Sequence, residues 1–80
     1  MKENLILEKI KENIIKILPE IQKEEISIDH SLRDFGANSI DRVEIIMFTM
    51  EDLNLNIPRV EFGQAKNIRD IIAVFLNYMR

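Results

Sequence analysis

LRDFGANSIDRVEII, residues 32–46, passes from a glycine-containing turn into an apolar-rich segment, with the hydroxyl of Ser39 at the join. Asn38 stands where an N-cap is wanted: its side-chain oxygen can accept from an amide one turn on. Asp41 falls at the third helical position, where a carboxylate suits the positive end of a helix. The pattern predicts a helix from Ser39 to Leu53 or Asn54.

Upstream, Leu7, Ile10, Ile14 and Ile17 or Leu18 recur at spacings of three and four between Lys and Glu residues, predicting a first helix from Glu3 to Leu18 that Pro19 ends. Some twenty residues without helical period follow, pinned by Ile21, Ile26, Ile28, Leu32 and Phe35. A connection of that length in a small domain is functional or positional. Downstream, Pro58 opens a short third helix, "PRVEF", that Gly63 stops. Asn67 with Asp70 repeats the capping pattern and starts a last helix with a stripe of Ile68, Ile71 or Ile72, Phe75 and Met79. The expected fold is all-α, a bundle of three longer helices with a short third helix and a long first loop.

Eighty residues, 46% hydrophobic and 31% charged, suffice for one core, so residues 1–80 are expected to form one free-standing domain. There is no cysteine, hence no disulfide framework, no thiolate nucleophile and no thiolate metal site. "MKENLILEKI" lacks the features of a secretory signal, and no stretch approaches the ~20 apolar residues of a membrane span. A cytoplasmic monomer is expected. The net charge of -3 opposes nucleic-acid binding and favours basic partners. Residues 38–54 hold one basic and four acidic groups, whereas residues 55–80 hold four basic and two acidic.

The second helix carries more apolar surface than one face can hold. Ile40, Val43, Ile45, Ile46, Met47, Phe48, Met50 and Leu53 point nearly all the way round at roughly 100° per residue, leaving an acidic sector of Asp41, Glu44, Glu51 and Asp52. Neighbouring elements could cover all of it. The sharper expectation is a docking strip of Ile40, Val43 and Met47 rimmed by Glu44 and Glu51, where apolar contact supplies affinity and charge steers the encounter. Met47, Phe48 and Met50 could instead line an internal cavity or simply pack.

Ser39 has three readings. A serine at a helix start most often caps. A catalytic serine needs a base, and the sole histidine, His30, comes with no nucleophile elbow and no third member. A modified serine would place an anionic ester in the field of a helix N-terminus, worth roughly 0.3–1 kcal/mol.

The same stretch resembles the L-x-x-x-G-x-D-S-L-x-x-V/A-E-L signature of acyl carrier proteins, matching at Leu32, Gly36, Ser39, Val43 and Glu44, with Ile40 and Ile45 for leucines. The resemblance covers nearly the whole chain. It implies an acyl-carrier-type four-helix bundle in which Ser39 bears a covalent 4′-phosphopantetheine arm, with no metal and no catalysis by the chain itself. Asn38 departs from the usual aspartate; it still caps, but removes a charge beside the serine. "GANSIDRVEI" with "TMEDLNLNIPRVEFGQAKNI" resembles more particularly the stand-alone donor carriers of polyketide β-branching cassettes. That implies a phosphopantetheinyl transferase, an acyltransferase, a ketosynthase-like decarboxylase and a hydroxymethylglutaryl-synthase-like enzyme as partners, meeting Asn38, Ile40, Asp41, Val43, Glu44, Met47 and Glu51. Peptidyl, D-alanyl and fatty-acid carriers are the alternatives within the family. A cofactor-free interaction domain of the death-fold or sterile-alpha-motif type is the main rival outside it, because it explains the helices although not "GANS". A DNA-binding helix-turn-helix fits poorly with one arginine against four acids on the second helix.

Overall fold

Pro19 has no amide hydrogen, and its ring disfavours helical backbone at Leu18, so the first helix, α1 (Lys2–Ile17), closes just before it with Leu18 N–H donating to Ile14 C=O at 2.7 Å. The computed structural model describes residues 2–79. Among these are two further α-helices, α2 (Ser39–Asp52) and α3 (Ile68–Asn77), and three 3₁₀ turns, Lys23–Glu25, Leu32–Phe35 and Arg59–Phe62, with no strand. The all-α class holds. The expected short third helix is instead the single 3₁₀ turn Arg59–Phe62. Only four residues separate Pro58 from Gly63, and the bonds that form run from i+3 to i, Glu61 N–H to Pro58 C=O and Gly63 N–H to Val60 C=O.

The core is filled by Ile6, Ile10 and Ile14 of α1, Ile45 and Met50 of α2, and Ile68, Ile71, Ile72 and Phe75 of α3, all buried. On α1, Ile10 and Ile14 are buried as expected, and only the first position of the stripe differs: Ile6 is fully buried, while Leu7 packs at the edge. Ile26, Leu32, Ala37, Ile57 and Phe62 close the core from the connections, and Ile21, Ile28 and Phe35 lean on it as expected.

The long first connection is more ordered than its sequence pattern implied. Ser31 Oγ accepts from Asp34 N–H and Asp34 Oδ2 from Ser31 N–H, a capping box that starts the second 3₁₀ turn. Gly36 ends that turn at φ +85°, a left-handed conformation open to glycine without the steric cost a Cβ would bring. The connection is tied to α3 by Ile68 N–H to His30 C=O and Arg69 N–H to Ile28 C=O, with the Arg69–Asp29 ion pair at 2.6 Å beside them.

One polar cluster crosses the core. Asn13 and Thr49 are 1% and 0% exposed; Asn13 Nδ2 donates to Thr49 Oγ1 and to Asp52 Oδ2, each at 3.0 Å, and Thr49 Oγ1 donates to Ile45 C=O at 2.8 Å. No buried side-chain nitrogen or oxygen among the described residues lacks a hydrogen-bond partner, so α1 and α2 are held in one register without an unsatisfied buried group. No helix among the described residues is long and apolar enough to cross a membrane.

Candidate functional site

The start of α2 is built by the residue before Ser39. Asn38 takes extended backbone and its Oδ1 accepts Asp41 N–H at 2.8 Å, while Asp41 Oδ2 accepts Asn38 N–H at 3.2 Å. Arg42 N–H donates to Asn38 C=O at 2.9 Å, the first intrahelical bond. The cap is therefore complete without Ser39, and the reading of Ser39 as the capping residue is corrected. Its hydroxyl makes no hydrogen bond among the described residues, and the side chain is exposed in the first turn of the helix.

The other aliphatic hydroxyls are spent. Ser27 Oγ accepts Asp29 N–H and Ser31 Oγ accepts Asp34 N–H, each at 3.2 Å, and Thr49 is buried in the α1–α2 cluster. His30 is equally committed: its Nδ1 accepts Ser27 N–H at 3.1 Å and its ring meets Phe35 edge-on at 4.9 Å.

Of the expected docking strip, Ile40 is 69% and Met47 43% exposed, with Val43 half-buried beside Ser39. Glu44 is half-buried and Glu51 exposed, so apolar and acidic groups share the outward face of α2. Asp52 does not serve that rim, because its carboxylate turns inward to Asn13. Met50 is core, its sulfur accepting Ile57 N–H at 3.3 Å, and Phe48 lies under the Lys16 ammonium at 5.1 Å. Val60, missed in the sequence, is 80% exposed on the 3₁₀ turn Arg59–Phe62. A single valine in "PRVEF" carries no periodic signal, so only the fold reveals that it faces outward.

Ser39 opens onto a cleft of about 240 Å³, lined also by Arg42, Val43, Ile46, Arg59, Phe62 and Gly63. This adjoins a larger one of about 560 Å³ between the Ser31–Arg33 turn, α2 and the start of α3; Arg42, Ile46, Phe62 and Gly63 are common to both. Met47, Phe48 and Met50 line neither.

An exposed, unengaged serine at a capped helix start is what a covalent prosthetic group on a hydroxyl requires. The family model described as "phosphopantetheine attachment site" matches residues 8–75 of the chain. The chain belongs to this phosphopantetheine-binding family. It is 39% identical over 74 residues to the polyketide biosynthesis acyl-carrier-protein AcpK of Bacillus subtilis (strain 168), covering 92% of this chain and 90% of that one. It is 30% identical over 73 residues to an acyl carrier protein of Cyanidium caldarium, covering 90% and 84%. In structure it superposes with a TM-score of 0.86 and 39% identity, over the whole of both chains, on a chain in the crystal structure of the curacin biosynthetic pathway HMG synthase in complex with acetyl donor-ACP. Membership brings with it a covalent 4′-phosphopantetheine, and the free Ser39 hydroxyl fits it. The cofactor-free interaction domain and the helix-turn-helix give way to this assignment.

Proposed function

We propose that this chain, a single carrier domain over residues 1–80, is an acyl carrier whose 4′-phosphopantetheine is attached at Ser39 Oγ, and that it serves as the acetyl donor of a polyketide β-branching cassette. The observation that carries the site is that Ser39 is exposed and its hydroxyl makes no hydrogen bond among the described residues, whereas the hydroxyls of Ser27, Ser31 and Thr49 are each engaged. The likeness to a polyketide carrier and to the donor chain paired with HMG synthase supports the donor role.

When bound, the group supplies a terminal thiol on which acyl groups ride as thioesters. The chain's own residues do the rest. The Asn38–Asp41 box fixes the first turn of α2, so the Ser39 hydroxyl is presented from a rigid lip rather than from a mobile loop. An anionic ester there lies at the positive end of α2, a favourable field of about 0.3–1 kcal/mol. Ile40, Val43 and Met47, extended by Val60, give partners an apolar contact; Asn38, Asp41, Glu44 and Glu51 surround it and steer basic surfaces towards Ser39. Delivery raises the local concentration of cargo at each partner, with the acid–base chemistry left to the partner. The proposed partners are a phosphopantetheinyl transferase, an acyltransferase, a ketosynthase-like decarboxylase and an HMG-synthase-like enzyme, in the cytoplasm.

Incubation with coenzyme A and a broad-specificity phosphopantetheinyl transferase, followed by intact-mass spectrometry and peptide mapping, tests the site. One phosphopantetheine increment on Ser39, with Ser27 and Ser31 unmodified, is expected. A folded protein that takes no increment while a control carrier does would end the carrier proposal.

A further inference from the structure

The chain is acidic, yet the ground beside Ser39 is not. Arg42 and Arg59 line the smaller cleft, and Arg33, Arg42 and Lys66 the larger; among the described residues no Asp or Glu lines either. The ion pairs of the described residues, Lys9–Glu12, Lys23–Glu8 and Arg69–Asp29, use none of these four cations. Three acids that neighbour these cations in sequence are turned to other work: Asp34 caps the turn at Ser31, Asp41 caps α2, and Asp70 accepts the backbone N–H of Lys66 at 2.9 Å. Arg42 spends one nitrogen, Nη1 donating to Ala37 C=O at 2.9 Å, which holds its guanidinium half-buried at the boundary of the two clefts with further donors available.

Four cations that no ion pair of the described residues engages, around a cavity rather than a flat surface, form a site for an anion. The floor is apolar, with Leu32, Ile46, Phe62 and Ile71, so the cleft suits a short carbon chain that ends in a charge. A wholly alkyl chain would leave the cations unused, whereas a carboxylate matches the planar fork of a guanidinium. Resting on the carrier function at Ser39, we propose that the larger cleft binds the free carboxylate of a dicarboxylic half-thioester cargo, with Arg33, Arg42 and Lys66 as its ligands. The carrier then distinguishes a carboxylated cargo, held against the bundle, from a decarboxylated one, left free for a partner. Weak intrinsic affinity suffices, because a tether of this kind supplies an effective concentration in the millimolar range.

The test uses unloaded protein, so its outcome is independent of whether Ser39 accepts the arm. Nitrogen-15 spectra are recorded during titration, at low salt, with malonyl-pantetheine, acetyl-pantetheine and unacylated 4′-phosphopantetheine. Malonyl-pantetheine is expected to move the amides of residues 31–33 and 63–67 with a Kd in the millimolar range, and acetyl-pantetheine to leave them in place. Arg33→Gln and Lys66→Gln, both at exposed positions, should each weaken that binding roughly threefold to fivefold. Equal shifts with malonyl and acetyl thioesters overturn the proposal. So does movement of the same amides by unacylated 4′-phosphopantetheine, which would make the phosphate the recognised anion.

Discussion

Asn38 and Ser39 are adjacent and do opposite jobs. Asn38 closes the helix and Ser39 is left unused by the fold, so substitutions at the two should separate stability from loading. Ser39→Ala should abolish phosphopantetheine transfer and change unfolding free energy by less than ~0.5 kcal/mol, since surface changes away from caps and core fall in that range. Asn38→Ala should cost about 0.5–2 kcal/mol while Ser39 still takes the arm. Urea denaturation paired with intact mass reads both. A destabilised Ser39→Ala would mean that the hydroxyl has a partner in solution. Residue type alone makes Ser39 a capping candidate; its position one residue inside the helix, with Asn38 Oδ1 already accepting Asp41 N–H, decides otherwise.

At the scale of elements, α2 is stopped and held by features of different reach. Its end is a Schellman motif: Leu55 N–H reaches Met50 C=O at 2.9 Å and Asn54 N–H reaches Glu51 C=O at 3.1 Å, with Asn54 left-handed at φ 56°. Its register against α1 depends on Asn13. Asn13→Ala should lower stability by about 1–3 kcal/mol, because Thr49 and Asp52 each lose a partner and Thr49 is fully buried. The effect should be non-additive with Thr49→Val in a double-mutant cycle; simple additivity would show that the two side chains are not coupled. The connection after α1 is clipped back by Lys23 and Glu8 at 2.7 Å. The hydrogen bond from Lys23 lowers the Glu8 pKa and, reciprocally, raises that of Lys23. Because the carboxylate is favoured in the folded state, its contribution is present at neutral pH and lost as pH falls through the Glu8 titration. The raised lysine loses its share only at alkaline pH, as pH rises through the folded value. Denaturation curves of the native protein and Lys23→Gln should therefore differ at pH 7 and draw together as pH falls through the Glu8 titration.

The molecule, 33 × 26 × 21 Å, sorts its charge by face: acids on the outward side of α2, and around the clefts by Ser39 cations that no ion pair of the described residues engages. A partner docking on α2 meets the acidic side. Glu44→Lys should lower kcat/KM for transfer to an HMG-synthase-type partner by about threefold to tenfold at low salt, with the loss shrinking as salt rises and the fold unchanged. Transfer unaffected at low salt would remove α2 as the docking face. Val60→Ala should weaken the same transfer at every salt concentration, since its contribution is apolar contact.

Helix starts were legible because a cap is a contact between residues i and i+3: Asn38 with Asp41 and Asn67 with Asp70 could be read from spacing, and so could the motif around Ser39. Ser31 with Asp34 carried the same signal and announced the 3₁₀ turn that the lack of helical period concealed. "PRVEF" makes a 3₁₀ turn whose Phe62 is buried in the core, where it meets Phe75 at 5.3 Å between ring centroids. The outward aim of Val60, the Asn13–Thr49 bond across 36 residues and the gathering of Arg33, Arg42, Arg59 and Lys66 have no local pattern at all. The sequence by itself determined the capped helix that presents Ser39, because a cap is a contact within one turn, and the family to which the chain belongs, because its motif is a run of neighbouring residues. The tertiary structure alone decided that Ser39 stands beside a cationic cleft, because that depends on which distant segments the core draws together.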